Sequence, residues 1–155
     1  MGVEASLRRV CELVESADVS HGERFTWNDP DQGAALGLGD AIEGVDRLFE
    51  VAEVRAVDGG EGGCVPARVR VEATLRVRYR TAGSAMGRAV QQAEDVRLIR
   101  DAIMFDPPAW SYSTTGLLSV LCGESTAPEE IGALDLAEPS AHEVITIPLT
   151  LEVDP

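Results

Sequence analysis

A strict alternation of apolar and polar residues runs through the stretch "RVRVEATLRVRYR" at residues 68–80. Every second residue from Val69 to Tyr79 is apolar, and arginine, glutamate or threonine stands between them. Successive side chains of a β-strand point to opposite faces of a sheet. The pattern therefore predicts a long strand with one face on a core and one face that carries arginines.

Two other segments repeat their apolar residues at the spacing of an α-helix. The first forms one apolar stripe near the N-terminus, on Val3, Leu7, Val10, Val14 and Ala17. The second lies within residues 81–104, with Ser84 as its predicted N-cap and Asp106-Pro107-Pro108 as its stop. Its predicted core-facing stripe comprises Met86, Ala89, Val90, Ala93, Val96, Ile99 and Ile103.

The first half of the chain is predicted to contain one further strand, at residues 47–57. It is followed by "DGGEGGCVP" at residues 58–66, which is typical of a hairpin loop. Residues 20–46 are rich in Gly, Asp and Asn and are predicted to be mostly loop. Within them, Phe25 and Trp27 are expected to anchor the loop to the core or to a neighbour.

The second half is predicted to contain a short strand in "GLLSVLCG" at residues 116–123 and a closing strand, "EVITIPLTLEV", at residues 143–153. An acidic connection, residues 124–143, lies between them. Because proline cannot donate to a strand ladder, Pro148 predicts that the closing strand is an edge strand or carries a bulge.

These elements together predict an α+β fold, in which an antiparallel sheet with a β-hairpin is packed on one face by the N-terminal helix and the central helix. The length predicts a single domain, residues 1–155. The N-terminal residues carry charges where a signal peptide needs an apolar run, and no segment approaches the roughly 18 apolar residues of a membrane span. We therefore expect a cytosolic chain.

The charge of the chain is unevenly distributed. The net charge is −14, and all thirteen basic residues are arginines, five of which fall within residues 67–80. Residues 101–155 contain ten acidic residues and no basic one. Such a surface repels nucleic acid and attracts basic surfaces, including those of another copy of the chain.

The sequence contains no arrangement typical of an enzyme or a metal site. Cys11, Cys64 and Cys122 share no short spacing, which favours free thiols. His21 and His142 lack the helical spacing of a metal-binding motif. We therefore expect no catalytic residue, no metal site and no cofactor, and the chain is not predicted to be an enzyme.

Three interpretations of the arginine face stay open. Direct nucleic-acid binding is disfavoured because aromatic residues are not interleaved with the arginines. The arginines can pair with acids of the neighbouring strand, such as Glu50 and Glu53. They can also hold carboxylates of a neighbouring copy in a head-to-tail contact, which generates a ring if the rotation closes. The candidate subunit-interface residues are Arg68, Arg70, Arg76, Arg78 and Arg80.

The order and spacing of these elements resemble the tail-terminator, or tail-completion, proteins of long-tailed phages and related phage-tail-like particles. The N-terminal helix is followed by "DRLFEV" at Asp46–Val51 and by the strand that ends in "VRVEATLRVRYR". A helix with "AEDVRLIRDAI" at Ala93–Ile103 and the closing "ITIPLTLEV" complete the similarity. It covers most of the chain, and residues 106–142 depart from the shortest members of the family.

The resemblance implies a structural virion protein, assembled in the host cytoplasm and located in the tail or neck of the virion. Its copies would form a ring, commonly of six subunits, that caps the tail tube, ends its polymerisation and joins it to the head-side connector. The implied partners are other copies of the chain, the tail tube protein and the connector protein. DNA would pass through the ring without specific binding, and no membrane would be involved.

The resemblance also implies roles for two groups of residues. The candidates for acidic loops that face the lumen or a partner are Glu124, Glu129, Glu130, Asp135 and Glu138. The candidates for a hairpin tip that contacts the tube are Asp58, Gly59, Gly60, Glu61, Gly62 and Gly63. An ordinary solvated loop and a plain mobile hairpin tip are the corresponding alternatives.

Other functions are also compatible with the sequence. A head-to-tail joining protein, of the connector or stopper kind, belongs to the same class. A soluble ligand-binding domain or an unrecognised enzyme belongs to another class, for which a deep apolar pocket would be the sign. An adaptor that mimics nucleic acid with its acidic surface is a third possibility.

Overall fold

The computed structural model describes residues 2–19, 22–29, 46–57, 69–80, 84–104, 117–131 and 142–153 of the 155-residue chain. Within these residues it contains two α-helices and a six-stranded sheet. The helices are α1 (Val3–Glu15) and α2 (Ala85–Met104). The strands are β1 (Thr26–Trp27), β2 (Leu48–Val57), β3 (Val69–Arg80), β4 (Leu117–Cys122), β5 (Glu129–Ile131) and β6 (His142–Val153).

The sheet has the strand order β1-β2-β3-β6-β4, and β5 pairs with β6 along the same edge as β4. All neighbours are antiparallel except β1 and β2, which are parallel. The predicted α+β class, with a sheet packed against helices, is confirmed. The prediction of a wholly antiparallel sheet is wrong at β1, because two residues of the region predicted as loop pair with the start of β2.

Strands β3 and β6 form the centre of the sheet and pair along all twelve residues of each. Their apolar side chains face the helices, so the alternation predicted for β3 is confirmed, and β6 shows the same pattern from Ile145 to Val153. The fully or nearly fully buried residues they contribute are Val71, Ala73, Leu75, Val77, Tyr79, Ile145, Ile147, Leu149, Leu151 and Val153.

Pro148 lies inside the sheet, in a strand that is not an edge strand and whose register against β3 is unbroken, so neither the predicted edge position nor the predicted bulge is found at this proline. Strand β6 has β3 on one side and β4 with β5 on the other. The Pro148 carbonyl oxygen accepts a hydrogen bond from the Gly123 N–H at 2.8 Å. The proline nitrogen, which carries no hydrogen, faces the same side. Regular pairing on that side is interrupted between Cys122 and Glu129, so the missing donor falls at a gap between β4 and β5.

Helix α1 packs against the sheet through the predicted stripe. Val10 and Val14 are fully buried, and Val3 and Leu7 pack at the margin of the core. Beyond the helix, Phe25 is buried in the core and Trp27 is partly buried against it, so the predicted anchoring role of both is confirmed.

Helix α2 exists as predicted, but only the C-terminal part of its predicted core-facing stripe, Val96, Ile99 and Ile103, contacts the core. Ser84 is confirmed as its N-cap, since its Oγ accepts a hydrogen bond from the Gly87 N–H at 3.1 Å. The buried residues are Gln92, Asp95, Ile99 and Ile103. The N-terminal half of the predicted stripe points to solvent, and its exposed residues are Met86, Ala89, Val90 and Ala93. The predicted stop at residues 106–108 lies outside the described residues.

Candidate interaction surface

The face of the sheet that points away from the helices, here called the outer sheet face, carries the arginines of β3. Arg76 Nη2 donates to Glu53 Oε1 at 2.7 Å, and Arg78 Nη2 donates to Glu50 Oε1 at 2.9 Å. The predicted ion pairs with Glu50 and Glu53 are therefore confirmed. Within the monomer, these two arginines already have carboxylate partners on the neighbouring strand.

A β-bulge in β2 shapes the same face. The register of β2 against β3 shifts between Ala52 and Arg55, and Glu53 within the bulge has a φ of 52°. Positive φ is uncommon for a residue other than glycine. The bulge lets Glu53 reach Arg76, and past it Arg55 Nε donates to Glu72 Oε2 at 2.9 Å. Negative and positive side chains therefore alternate across the two strands.

Among the residues whose side chains the structure describes, the outer sheet face carries equal numbers of positive and negative charges. Its four arginines are Arg55, Arg70, Arg76 and Arg78, and its four glutamates are Glu50, Glu53, Glu72 and Glu152. Arg70 is exposed and lies directly opposite Glu152 of β6. A neutral face is unusual in a chain whose net charge is −14.

The part of this face that β4 and β6 supply is less polar. Leu121 is 58% exposed, and Pro148 beside it is also exposed. Thr150, which pairs with Leu121 in the strand register, adds a methyl group and a hydroxyl. A small apolar area therefore borders the charged ladder of β2 and β3.

The other residues predicted to contact partners are distributed over several parts of the chain. Glu124 is exposed in the connection between β4 and β5. Glu129 and Glu130 belong to strand β5, so their prediction as loop residues is wrong. Arg80 closes β3 and pairs with His142 in the backbone register. Outside the described residues lie Arg68, Asp135, Glu138 and the predicted tube-contacting tip, Asp58–Gly63.

A buried polar network under α2 was not predicted from the sequence. Arg47 Nε and Nη2 donate to the two carboxylate oxygens of Asp95, at 2.8 and 3.2 Å, and the Tyr79 hydroxyl donates to Asp95 Oδ2 at 2.9 Å. Arg47 Nη1 donates to the carbonyl oxygen of Glu23 at 2.8 Å, and its guanidinium lies 5.8 Å from the centroid of the Phe25 ring. The network joins the segment before β1, the start of β2, the end of β3 and helix α2.

Arg47 also has an unusual backbone, with a φ of 57°. Its guanidinium leaves little room beside Gly22, where an added Cβ would lie 2.8 Å from Arg47 Nη1. The position of Arg47 is therefore set by its side-chain contacts more than by its own conformational preference.

Burial changes the acid–base behaviour of this network. Desolvation raises the pKa of the Asp95 carboxyl, and the hydrogen bonds from Arg47 and Tyr79 oppose that increase. Desolvation, followed by the nearby Asp95 charge, raises the pKa of Tyr79 well above its usual value. The Tyr79 hydroxyl therefore stays protonated at neutral pH and acts in this network as a hydrogen-bond donor to Asp95.

A second polar contact joins α2 to β6. Gln92 Nε2 and Arg88 Nε both donate to the Glu143 carboxylate, the latter at 3.3 Å. The sequence does hold a signal for this face of α2, because Gln92, Asp95, Ile99 and Ile103 also recur at helical spacing. Two of these four residues are polar, so a search for apolar periodicity does not identify this face as buried.

A surface cleft of about 370 Å³ lies between α1, β1 and β2. Its lining residues are Glu4, Leu7, Arg8, Cys11, Trp27, Asp29, Val51 and Val54. The Arg8 guanidinium stacks over the Trp27 ring at 5.2 Å and donates to Asp29 Oδ2 at 3.2 Å. The cleft is thus mainly apolar, with Arg8 paired to both Asp29 and Glu4 at its rim.

Among the described residues there is neither a cluster of metal ligands nor a cysteine with a lowered pKa. They contain no group of three or more side chains suited to hold a metal ion. Burial raises the pKa of the Cys11 thiol to about 12 and that of Cys122 to about 11, so neither is an activated nucleophile. No helix in the described part of the chain is long and apolar enough to cross a membrane. Cys64 and His21 lie outside the described residues.

No protein-family model matches this chain, and no curated protein sequence matches it either.

Proposed function

We propose that this protein is a structural subunit that assembles with further copies into a ring at the end of a phage-type tail tube. The ring caps the tube, ends its polymerisation and joins it to the head-side connector. Its chemistry is recognition and does not include catalysis.

The observation that carries this proposal is the neutral outer sheet face of an otherwise acidic chain. Two copies with a net charge of −14 each repel one another at most orientations. The repulsion is smallest where the surface is neutral and where arginines and glutamates alternate, because each sign can then meet its opposite across a contact. The outer sheet face has both properties.

The ion pairs change the role that the arginines have in this proposal. Arg76 and Arg78 are already paired within the subunit, so they do not need the acidic loops of a neighbour as partners. They instead form part of a mixed-charge surface with a fixed pattern. Such a pattern favours one orientation of a neighbouring subunit over others.

The acidic excess of the remaining surface is compatible with a ring that surrounds passing DNA. Like-charge repulsion favours passage of DNA over adhesion. The same excess fits a head-to-tail joining protein, which occupies a ring one position closer to the head, so that function remains the alternative within this class.

A tube-capping experiment tests the proposal. The purified chain is added to the polymerising tail tube protein of the same particle, and tube length and end structure are followed by electron microscopy. We expect shorter tubes with a ring of extra density at one end. Unchanged tubes, together with co-purification of the chain with the connector complex, would favour the joining protein instead.

The cleft between α1, β1 and β2 supports a second candidate function, a soluble ligand-binding domain. Its volume of about 370 Å³ and its apolar lining fall within the range of small-molecule sites. A thermal-shift screen of small aromatic and aliphatic carboxylates and amines tests it, with Trp27→Ala as the control that removes one wall. Ligand-dependent stabilisation that Trp27→Ala abolishes, in a chain that does not cap tubes, would favour this function over the ring.

A further inference from the structure

Helix α2 exposes apolar side chains while it buries polar ones. Met86 is 79% exposed and Val90 is 55% exposed, whereas Gln92 and Asp95 are buried on the opposite side of the same helix. Burial of charged groups is costly unless they are paired, and exposed apolar side chains contribute no hydrophobic stabilisation to the fold. The Arg47 and Glu143 contacts hold the polar side inward, so the apolar side is turned outward by specific interactions.

The exposed apolar side, here called the α2 stripe, consists of Met86, Ala89, Val90 and Ala93. A groove of about 370 Å³ between α2 and the connection that follows β4 extends it, with Ala89, Ala93 and Pro128 in its lining. The next exposed charges along the helix are Glu94 and Arg97, which have opposite signs. The stripe itself carries no charge, and the charges of these two neighbouring residues cancel.

The α2 stripe and the outer sheet face lie on opposite sides of the molecule. Tyr79 and Ile147 face α2 across the core, whereas Arg76 and Pro148, on the same strands, face the other way. Two neutral surfaces on opposite sides of an acidic subunit suit a head-to-tail contact, in which each copy offers a different surface to each neighbour.

We propose that the α2 stripe of one copy docks on the outer sheet face of the next, with Met86 and Val90 packed against the apolar area at Leu121 and Pro148. The charges beside the stripe, Glu94 and Arg97, then meet the mixed ladder of ion pairs on β2 and β3. The occupant of both surfaces is a second copy of this chain. This inference rests on the proposed function, since it assigns the contact that would build the ring.

A charge-swap experiment tests the contact. Met86→Lys and Leu121→Glu each place one charge in it, and each should weaken self-association at least about tenfold, because a single buried charge is left without a partner. The double variant Met86→Lys/Leu121→Glu should recover to within about threefold of the wild type, since every contact then pairs the two charges. Assembly is measured by sedimentation velocity over a protein concentration series.

Two controls accompany the charge swap. Met86→Lys/Leu121→Lys changes the same two positions but places two positive charges against each other, so its self-association should be weaker than that of either single variant. Val54→Lys replaces an apolar side chain that is 45% exposed and lines the cleft between α1, β1 and β2, on the helix side of the sheet, and it should assemble like the wild type.

Carbodiimide cross-linking gives a second readout that does not depend on affinity. The chain contains no lysine, so the introduced side chain at position 86 is its only lysine ammonium. In Met86→Lys/Leu121→Glu, mass spectrometry should find an intermolecular amide between positions 86 and 121.

The outcomes separate this inference from the proposed function. Recovery in the charge swap with the 86–121 cross-link supports it. A wild type that assembles, with no recovery and no cross-link, overturns the assigned contact and leaves the ring intact. Equal weakening in Val54→Lys also overturns it, because a surface outside the contact would then govern assembly. A wild type that stays monomeric and does not cap tubes contradicts the ring and this contact together.

Discussion

Arg47 joins several separate segments of the fold. It is buried, its φ is positive, and it donates to Asp95 and to the carbonyl oxygen of Glu23. Sequence periodicity cannot reveal such a residue, since one charged side chain at the start of a strand looks like any solvated arginine. Its partner Asp95 lies 48 residues away, so only the tertiary fold brings the two together.

We predict that Arg47→Met destabilises the folded chain by about 3–5 kcal/mol, because it leaves the Asp95 carboxylate buried without its main partner. The double variant Arg47→Met/Asp95→Leu should lose clearly less than the sum of the two single changes, since it removes the whole pair. Urea unfolding followed by circular dichroism measures all three. Strict additivity would show that the two side chains do not interact.

Cys11 gives a pH dependence with a defined sign. Its folded-state pKa of about 12 lies above the ordinary value of 9.0, so the folded chain holds this proton more tightly than the unfolded chain. As pH rises above about 9, the Cys11 thiol therefore ionises in the unfolded chain but not yet in the folded chain. Ionisation stabilises the unfolded state, so the free energy of unfolding falls by up to about 1.4 kcal/mol per pH unit from this group.

We expect this fall to be absent in Cys11→Ala. The difference in unfolding free energy between wild type and Cys11→Ala should be constant from pH 7 to 8.5. By pH 10.5 the wild type should have lost more stability than the variant. Urea titrations at these pH values measure it, and a difference that stays constant to pH 10.5 would show that the thiol ionises normally in the folded chain.

At the scale of elements, the predictions from periodicity are good where one face of an element is purely apolar and poor where it is mixed. Strand β3 and helix α1 fall in the first class, and their buried faces agree with the sequence. Helix α2 falls in the second. At about 100° per residue, Val90 and Ile99 lie on opposite sides of the helix, so they cannot share one core face.

A matched pair of substitutions tests the orientation of α2. Val90→Ala should change the free energy of unfolding by no more than about 0.5 kcal/mol, because the side chain is largely in water. Ile99→Ala should cost about 2–5 kcal/mol, because the side chain is fully buried in the core. Thermal and urea unfolding of both variants measure the contrast. Comparable losses at the two positions would contradict the orientation.

At the scale of the whole molecule, the sequence is sufficient to predict the α+β class and the ion pairs of the arginine face. It is not sufficient to predict that the face is neutral as a whole. That property depends on which strands are neighbours, since Glu152 joins the face only because β6 flanks β3, and Arg55 joins it only because β2 does. The bulge that brings Glu53 to Arg76 is equally invisible before the strands are paired.

The pattern of charges on the outer sheet face predicts how charge-reversal variants change folding and self-association. Arg76→Glu/Arg78→Glu places acids against Glu53 and Glu50, so it should weaken both the fold and self-association. Arg76→Glu/Glu53→Arg keeps an ion pair with reversed direction, so it should preserve the fold and weaken association alone. Unfolding curves and sedimentation velocity on the same samples separate the two effects. Normal association of both variants would show that this face does not contact a neighbour.

The central claim is that copies of this chain assemble into a closed ring, and native mass spectrometry across a protein and salt series tests it most directly. We predict one dominant closed species, with ring-shaped particles in negative-stain images, that dissociates as rising salt screens the mixed charges of the contact. A chain that stays monomeric at every protein and salt concentration would contradict the claim.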